Sequence, residues 1–246
     1  MTVKIPNLPD IHNVGPLTHG FFDDFDEYVA DDRWQLTADA GETQAVIDAI
    51  GGQLSIACDG DDNDEAYIYT KHQIHLFADK KPLLLLARVK FTEASTDDAN
   101  MLVGLMDVAG ADALLDDGGG PAATYDGAVF FKVDGGTRWQ VESSNAATQV
   151  TDDTEESAGG GAFETLGIHV NPLNSADAEV TYWIDRNGGI DLHQVRANGS
   201  NPRTPAIKQT IALSGLQEMN VVFGVKAGGA NVETLIVDYV SVWQKR

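Results

Sequence analysis

The sequence predicts an all-β protein folded as a two-sheet antiparallel sandwich of jelly-roll type, and three observations carry that expectation. Gly-Gly pairs recur at 51–52, 118–119, 135–136, 159–160, 188–189 and 228–229, the punctuation of a sandwich or barrel built from short strands. Between them lie runs that are apolar or alternate at period two: 53–58, 65–70, 73–77, 83–92, 100–108, 127–134, 137–143, 163–171, 178–185, 207–213, 220–227 and 234–244. One sheet of that many strands would curl or split, so two packed sheets are expected. Helical spacing is scarce. Only "EYVADDRW" (27–34) and "GADALLDD" (110–117) admit a turn or two, the second because Ala111, Leu114 and Leu115 follow it.

Taken in order, the first element is residues 1–19, where "KIPNLPDIHNVGP" scatters Ile5, Leu8, Ile11 and Val14 among Pro6, Pro9 and Pro16 without either period. Proline removes ladder donors and favours extended backbone. This segment is either a tail or an extended arm docked on a partner, and as an arm its binding residues are Ile5, Pro6, Leu8, Pro9, Ile11 and Val14. Residues 20–246 are expected to fold as one sandwich domain. It opens with "GFFDDFDEY" (20–28), where Phe21 and Phe25 alternate with Asp23 as in a strand with one buried face. In "QLSIACD" (53–59), Leu54, Ile56 and Cys58 share a face, which places Cys58 in the core. "GAVFFKVDGGTRWQVES" (127–143) reads as a hairpin turned at Asp134-Gly135-Gly136, and "AEVTYWIDRNGGIDLHQV" (178–195) as a second with "RNGG" at its tip. The last element, "ETLIVDYVSVWQKR" (233–246), places Leu235, Val237 and Tyr239 on one face and Ile236, Val240 and Val242 on the other. A strand apolar on both faces belongs inside a packed layer, here closed by the strand near the other end of the chain.

Composition bounds the function. The chain has 246 residues, and a single domain of that size buries roughly 70–75% of its unfolded surface, so it needs no staples. With Cys58 as the one cysteine, no internal disulfide forms, which fits a reducing cytoplasm. No apolar run resembles a signal peptide, and "PLLLLARV" (82–89) is too short to span a bilayer. The 38 acidic and 16 basic residues give a formal charge of −22. Such a field repels nucleic-acid phosphates and anionic membrane surfaces, so neither is an expected partner.

Three searches for catalytic chemistry come back empty. No G-x-S-x-G is present, and His12, His19, His72, His75, His169 and His193 show no partner pattern. His72 and His75 fall on opposite faces of a strand, and zinc held by cysteines is excluded by count. "DGDDNDEAYIYT" (59–70) begins like an EF-hand loop with Asp59, Asp61 and Asn63. It then has Asp64 where glycine is required and Thr70 where a bidentate glutamate belongs. No cofactor is expected.

"VDYVSVWQ" (237–244) resembles the closing strand of concanavalin A-like sandwiches, especially the family-16 glucanases, and "FFDDFDEY" followed by "RWQL" is similar to their entry. The resemblance implies a concanavalin A-like fold over about 20–246. Those enzymes carry E-x-D-x-x-E on a strand, with one carboxylate as nucleophile and one as acid. No such triad occurs in this chain, so the expectation is a protein that is not an enzyme.

"GPLTHGFFDDFDEYVADDRW", "TDDANMLVGLMD", "GAVFFKVDGGTRWQ" and "VVFGVKAGGANVETLIVDYV" are also similar to a group of tailed-bacteriophage proteins. That resemblance implies a virion structural protein, a capsid decoration or accessory head protein. It would be assembled in the host cytoplasm on the major capsid protein or other virion subunits, and would be a homo-oligomer. The alternative is a lectin-like carbohydrate-binding module without hydrolase activity, using Tyr125, Trp139, Tyr182 or Trp183 as a sugar platform.

Overall fold

The structure, a computed structural model, describes residues 17–159, 161–185, 192–197 and 205–246. Among these there is no helix. The first eight strands are β1 (Thr18–Asp23), β2 (Trp34–Ala38), β3 (Thr43–Ile47), β4 (Gln53–Ala57), β5 (Glu65–Thr70), β6 (Leu83–Thr92), β7 (Ala99–Met106) and β8 (Gly127–Lys132). The remainder are β9 (Arg138–Asn145), β10 (Thr148–Ser157), β11 (Glu164–Pro172), β12 (Asp177–Asp185), β13 (His193–Gln194), β14 (Lys208–Ala212), β15 (Asn220–Ala227) and β16 (Thr234–Lys245).

They form two antiparallel sheets. One, of nine strands, runs β13-β12-β11-β6-β16-β4-β3, with β1 also on β16 and β14 also on β12. The other, of seven, runs β10-β9-β8-β7-β15-β5-β2. Both ends of the described chain therefore meet in the nine-stranded sheet, Thr18 opposite Lys245 and Asp23 opposite Val240. Strand β1 begins at Thr18, so Thr18 and His19 are paired on β16 and belong to the sheet. Phe21 and Phe25 are both buried, but Phe25 reaches the core through a turn. Its φ is 52°, and its N–H donates to Asp23 Oδ1 at 3.0 Å.

The core lies between the sheets and follows from period-two alternation. In β6, Leu83, Leu85, Ala87, Val89 and Phe91 point inward while Leu84, Leu86, Arg88 and Lys90 are half-buried on the outer face. Leu54, Ile56 and Cys58 all enter the core, as their shared face predicts. Burial pushes the Cys58 thiol up to about 11. The β8–β9 hairpin forms with Gly135 at φ 71°, closed by Gly136 N–H to Val133 O at 3.0 Å. In the second hairpin β12 pairs with β13, while its tip, 186–191, lies outside the described residues.

The structure corrects three local expectations. Neither 27–34 nor 110–117 forms helix; each holds one tight turn, closed by Asp32 N–H to Val29 O at 3.3 Å and by Ala113 N–H to Gly110 O at 3.1 Å. The second is held open because Asp112 and Asp117 take left-handed φ of 59° and 52°, a conformation that breaks right-handed helix. Of 73–77, only His75 pairs, in an isolated bridge with Met219. Strand β16 is not apolar on both faces. A bulge between Val237 and Tyr239 shifts its phase, so Leu235, Val237, Val240 and Val242 point inward, and Ile236, Asp238, Tyr239, Ser241 and Trp243 are half-buried outside.

Two histidines make this fold acid-sensitive. Burial, reinforced by His19 stacked at 5.4 Å, pushes His75 down to about 4, and burial does the same to His169 against the opposing pull of Glu179. A folded pKa below the unfolded value means stability present above about 6.5 and lost as pH falls towards 4. Glu233 acts with the opposite sign: burial raises it to about 7, so its contribution is present at low pH and lost on the way up. Replacing His75 by Gln is therefore expected to remove up to about 3 kcal/mol of acid-induced destabilisation between pH 6.5 and 4. Urea midpoints across that range measure it; superimposable wild-type and variant profiles would contradict it.

Candidate functional site

The aromatic residues that the sequence offers as sugar platforms are buried, which corrects that reading. Trp139 is fully buried, edge-on to Phe91 and Phe130, and its indole N–H donates to Glu164 Oε2 at 2.7 Å. Tyr182 is also in the core, its hydroxyl donating to Gln209 Oε1 at 2.8 Å. Trp183 lies on the other face of β12 yet keeps only 8% exposure. The arm residues Ile5, Pro6, Leu8, Pro9, Ile11 and Val14 lie outside the described residues.

Tyr125 is buried for a different reason. The 107–126 connection between β7 and β8 folds across the outer face of the seven-stranded sheet, where Ala113, Leu114, Ala122 and Tyr125 build a second apolar cluster on Tyr67, Leu102, Val129, Phe131 and Val222. Gly224 permits this: a Cβ there would lie 2.3 Å from the Tyr67 ring, which crosses β15 at that point. Tyr67 donates its hydroxyl to Glu65 Oε2 at 3.1 Å and accepts from Leu114 N–H at 3.0 Å. Lys226, buried beside them, donates to Glu65 Oε2 and to Leu114 O, each at 3.1 Å, and lies 2.5 Å from Asp116 Oδ1. A buried ammonium left without these partners would cost several kcal/mol, so the connection is held down and this part of the face is closed to a ligand.

The outer face of the nine-stranded sheet stays open around β1, β16 and β6, whereas over β11 and β12 the outward side chains Thr165, His169, Thr181 and Trp183 are buried. Where β1 meets β16, Phe22 stands 54% exposed with its ring 6.0 Å from that of Tyr239. The β16 bulge is what brings two successive side chains, Asp238 and Tyr239, to this face. Bulges re-aim side chains in this way. Asp238 forms an ion pair with Arg88 of β6, and the Arg88 guanidinium lies 4.2 Å from the centre of the Phe163 ring. Phe22, Tyr239 and Phe163, with Ile50, Gly51, Gln53, Asp24 and the Arg88–Asp238 pair, line a cleft of about 460 Å³. A second cleft of about 310 Å³ adjoins it across Phe22 and Asp24. Exposed ring faces beside fixed carboxylate and guanidinium groups offer stacking for an apolar ligand surface and directional hydrogen bonds for its hydroxyls.

The acidic segment that begins like a calcium loop is arranged otherwise. Asn63 Oδ1 accepts from Asp117 N–H at 3.1 Å, and Asp64 turns towards Asp39 and Glu42, whose carboxylate oxygens lie within 4.8 Å of one another and of its own. Burial, and then repulsion from neighbouring aspartates including Asp39 and Asp59, raises both Glu42 and Asp64 above their ordinary values.

No family model matches this chain, and no curated protein matches it in sequence. Solved structures do match in fold. The endo-1,3-β-glucanase of Streptomyces sioyaensis has a TM-score of 0.56 at 13% identity, over 98% of this chain and 99% of that one. An endo-β-1,4-glucuronan lyase from the fungus Trichoderma reesei scores 0.56 at 10% identity, over 90% and 94%. The carbohydrate recognition domain of Emp47p scores 0.56 at 10% identity, over 91% and 94%. The fold is a concanavalin A-like sandwich, as the terminal motifs imply. The expectation that the chain is not an enzyme is overturned, because this fold is shared with a glucanase and a lyase. The missing E-x-D-x-x-E excludes one arrangement of carboxylates, not catalysis on this scaffold. Nothing in these structures supports the virion reading.

The Arg88–Asp238 pair is partly shielded, with side-chain exposures of 25% and 14%. In a double-mutant cycle, Asp238→Asn and Arg88→Met are expected to couple by about 1 kcal/mol in urea unfolding. Strictly additive effects would show that the pair does not hold the cleft wall.

Proposed function

We propose that this protein binds carbohydrate in the cleft formed by Phe22, Tyr239 and Phe163. The observation that carries this reading is Phe22: a large apolar side chain, left mostly exposed on a strand, beside a second ring and an ion-paired carboxylate. Burying a Phe side chain is worth about 1.5–3 kcal/mol, and Phe22 shares its cleft with the fully exposed Ile50, so the apolar exposure here is adjoining rather than single, the pattern that marks a binding surface. Sugars suit the lining, since a pyranose presents a C–H face to a ring and equatorial hydroxyls to Asp238 and Arg88. The likeness to the Emp47p carbohydrate recognition domain supports the same class of ligand.

A second reading is that the bound glycan is also cleaved. Asp24 and Asp238 line the same cleft in different surroundings: Asp238 is ion-paired, and Asp24 has no ion pair among the described residues. Most glycosidases use two carboxyl groups in distinct roles, and the likeness to the 1,3-β-glucanase is in keeping with it.

A panel of oligosaccharides tested by calorimetry checks the first reading, with reducing-end release measured on the same samples. Phe22→Ala and Tyr239→Ala are each expected to weaken binding about tenfold, the exposed Phe22→Ala with Tm nearly unchanged and the half-buried Tyr239→Ala with Tm lowered by a few degrees while the protein stays folded. Leu173→Ala, at an equally exposed position away from the cleft, is expected to change nothing. Full affinity in both aromatic variants would overturn the site.

A further inference from the structure

Charge on the two sides of Phe22 narrows the class of ligand. Both arginines lining the clefts are already committed. Arg88 is paired with Asp238, and Arg33 lies 3.6 Å from Asp23 and 4.8 Å from the Phe21 ring centre. Lys90 sits over the Phe163 ring, 4.6 Å from its centre, and not on the wall of either cleft. The carboxylates of Asp24, Asp26, Glu27 and Asp32 remain, none with an ion pair among the described residues. Asp24 lines both clefts, so an aromatic wall and an acidic wall meet at Phe22. The whole chain adds to the same field, with a formal charge of −22.

From this juxtaposition, and resting on the carbohydrate reading above, we propose that the ligand is an amino sugar polymer with free amines. One ring stacks on Phe22 and Tyr239 while protonated amines of neighbouring sugars face Asp24, Asp26, Glu27 and Asp32. Stacking selects a flat sugar face, and the uncompensated carboxylates select a cation. A uronate polymer meets the opposite condition. Its carboxylates would enter two adjoining clefts whose single guanidinium groups, Arg88 in one and Arg33 in the other, are each already ion-paired, against the field of the whole chain.

The test compares three oligosaccharides of equal length: glucosamine oligomers, their fully N-acetylated counterparts and oligoglucuronate. Binding is measured by calorimetry at mildly acidic pH, in low and in high salt. Free amines are expected to bind about tenfold tighter than the acetylated form, the sum of several weak exposed charge pairs. High salt should erase the difference. The triple variant Asp26→Asn, Glu27→Gln, Asp32→Asn should also remove most of it, lowering affinity for the free-amine form far more than for the acetylated form.

Equal affinity for the amine and acetylated forms, or tighter binding of the uronate, overturns the amine assignment and leaves carbohydrate binding standing. Failure of all three, together with a blank oligosaccharide panel, overturns the reading beneath it. An oligolysine serves as the last arm. If it matches the glucosamine oligomer and neither responds to Phe22→Ala, charge alone recruits the cation, and the amino-sugar assignment fails.

Discussion

Strand β16 is paired along both edges, with β6 on one side and with β4 and then β1 on the other. That double pairing constrains everything around the cleft. A strand held on both edges cannot rotate, so the phase of its side chains is set by its register alone. The bulge at Asp238 then uses the one freedom left. It lets Leu235 and Val237 before it, and Val240 and Val242 after it, all enter the core, while Asp238 and Tyr239 both emerge. Without the extra residue, either the second half of the strand would turn its valines to solvent or the cleft would lose its tyrosine. Phe22 reaches Tyr239 because β1 joins β16 just past the bulge, with Asp23 opposite Val240.

The two outer faces of the sandwich are treated differently, and the difference is energetic. On the seven-stranded sheet, the 107–126 connection supplies its own apolar cluster and is tied to the strands by Lys226, Glu65 and Tyr67. Opening it would expose Leu114 and Tyr125 and strand a buried ammonium, so this face behaves as core. On the nine-stranded sheet the outward side chains of β6 and β16 remain half-exposed. The fold has therefore covered one face with its own connection and left the β1–β16–β6 part of the other as the surface on which chemistry is available.

Much of the fold was legible because alternation and turn residues report it directly. The limits 83–92 and 220–227 coincide with β6 and β15 as observed, and Leu54, Ile56 and Cys58 face the core as period two requires. The acidic β10 escaped notice because "TQVTDDTEES" lies at a sheet edge with most side chains in water, which leaves no apolar pattern to read. The candidate site was far less legible. A bulge has no reliable one-residue signature, so "LIVDYVSV" read as two apolar faces when it holds one face and a phase shift. Tyr125, Trp139, Tyr182 and Trp183 looked like platforms because composition names aromatic residues without saying which a sheet or loop will cover. Phe22 was visible only as half of "FF". Its exposure follows from the burial of Phe21 beside it, once β1 is known to be a strand with one face on the core.

The proposed glycan site lies at the bulge of β16, on the outer face of the nine-stranded sheet. Backbone amide shifts recorded during titration with a binding oligosaccharide test it most directly, since they report location without any substitution. The largest changes are expected at Phe22, Asp24, Gly51, Gln53, Phe163, Asp238 and Tyr239. Shifts concentrated at Tyr67, Leu114 and Lys226, with the β1–β16 junction unmoved, would place the ligand on the seven-stranded face and contradict it.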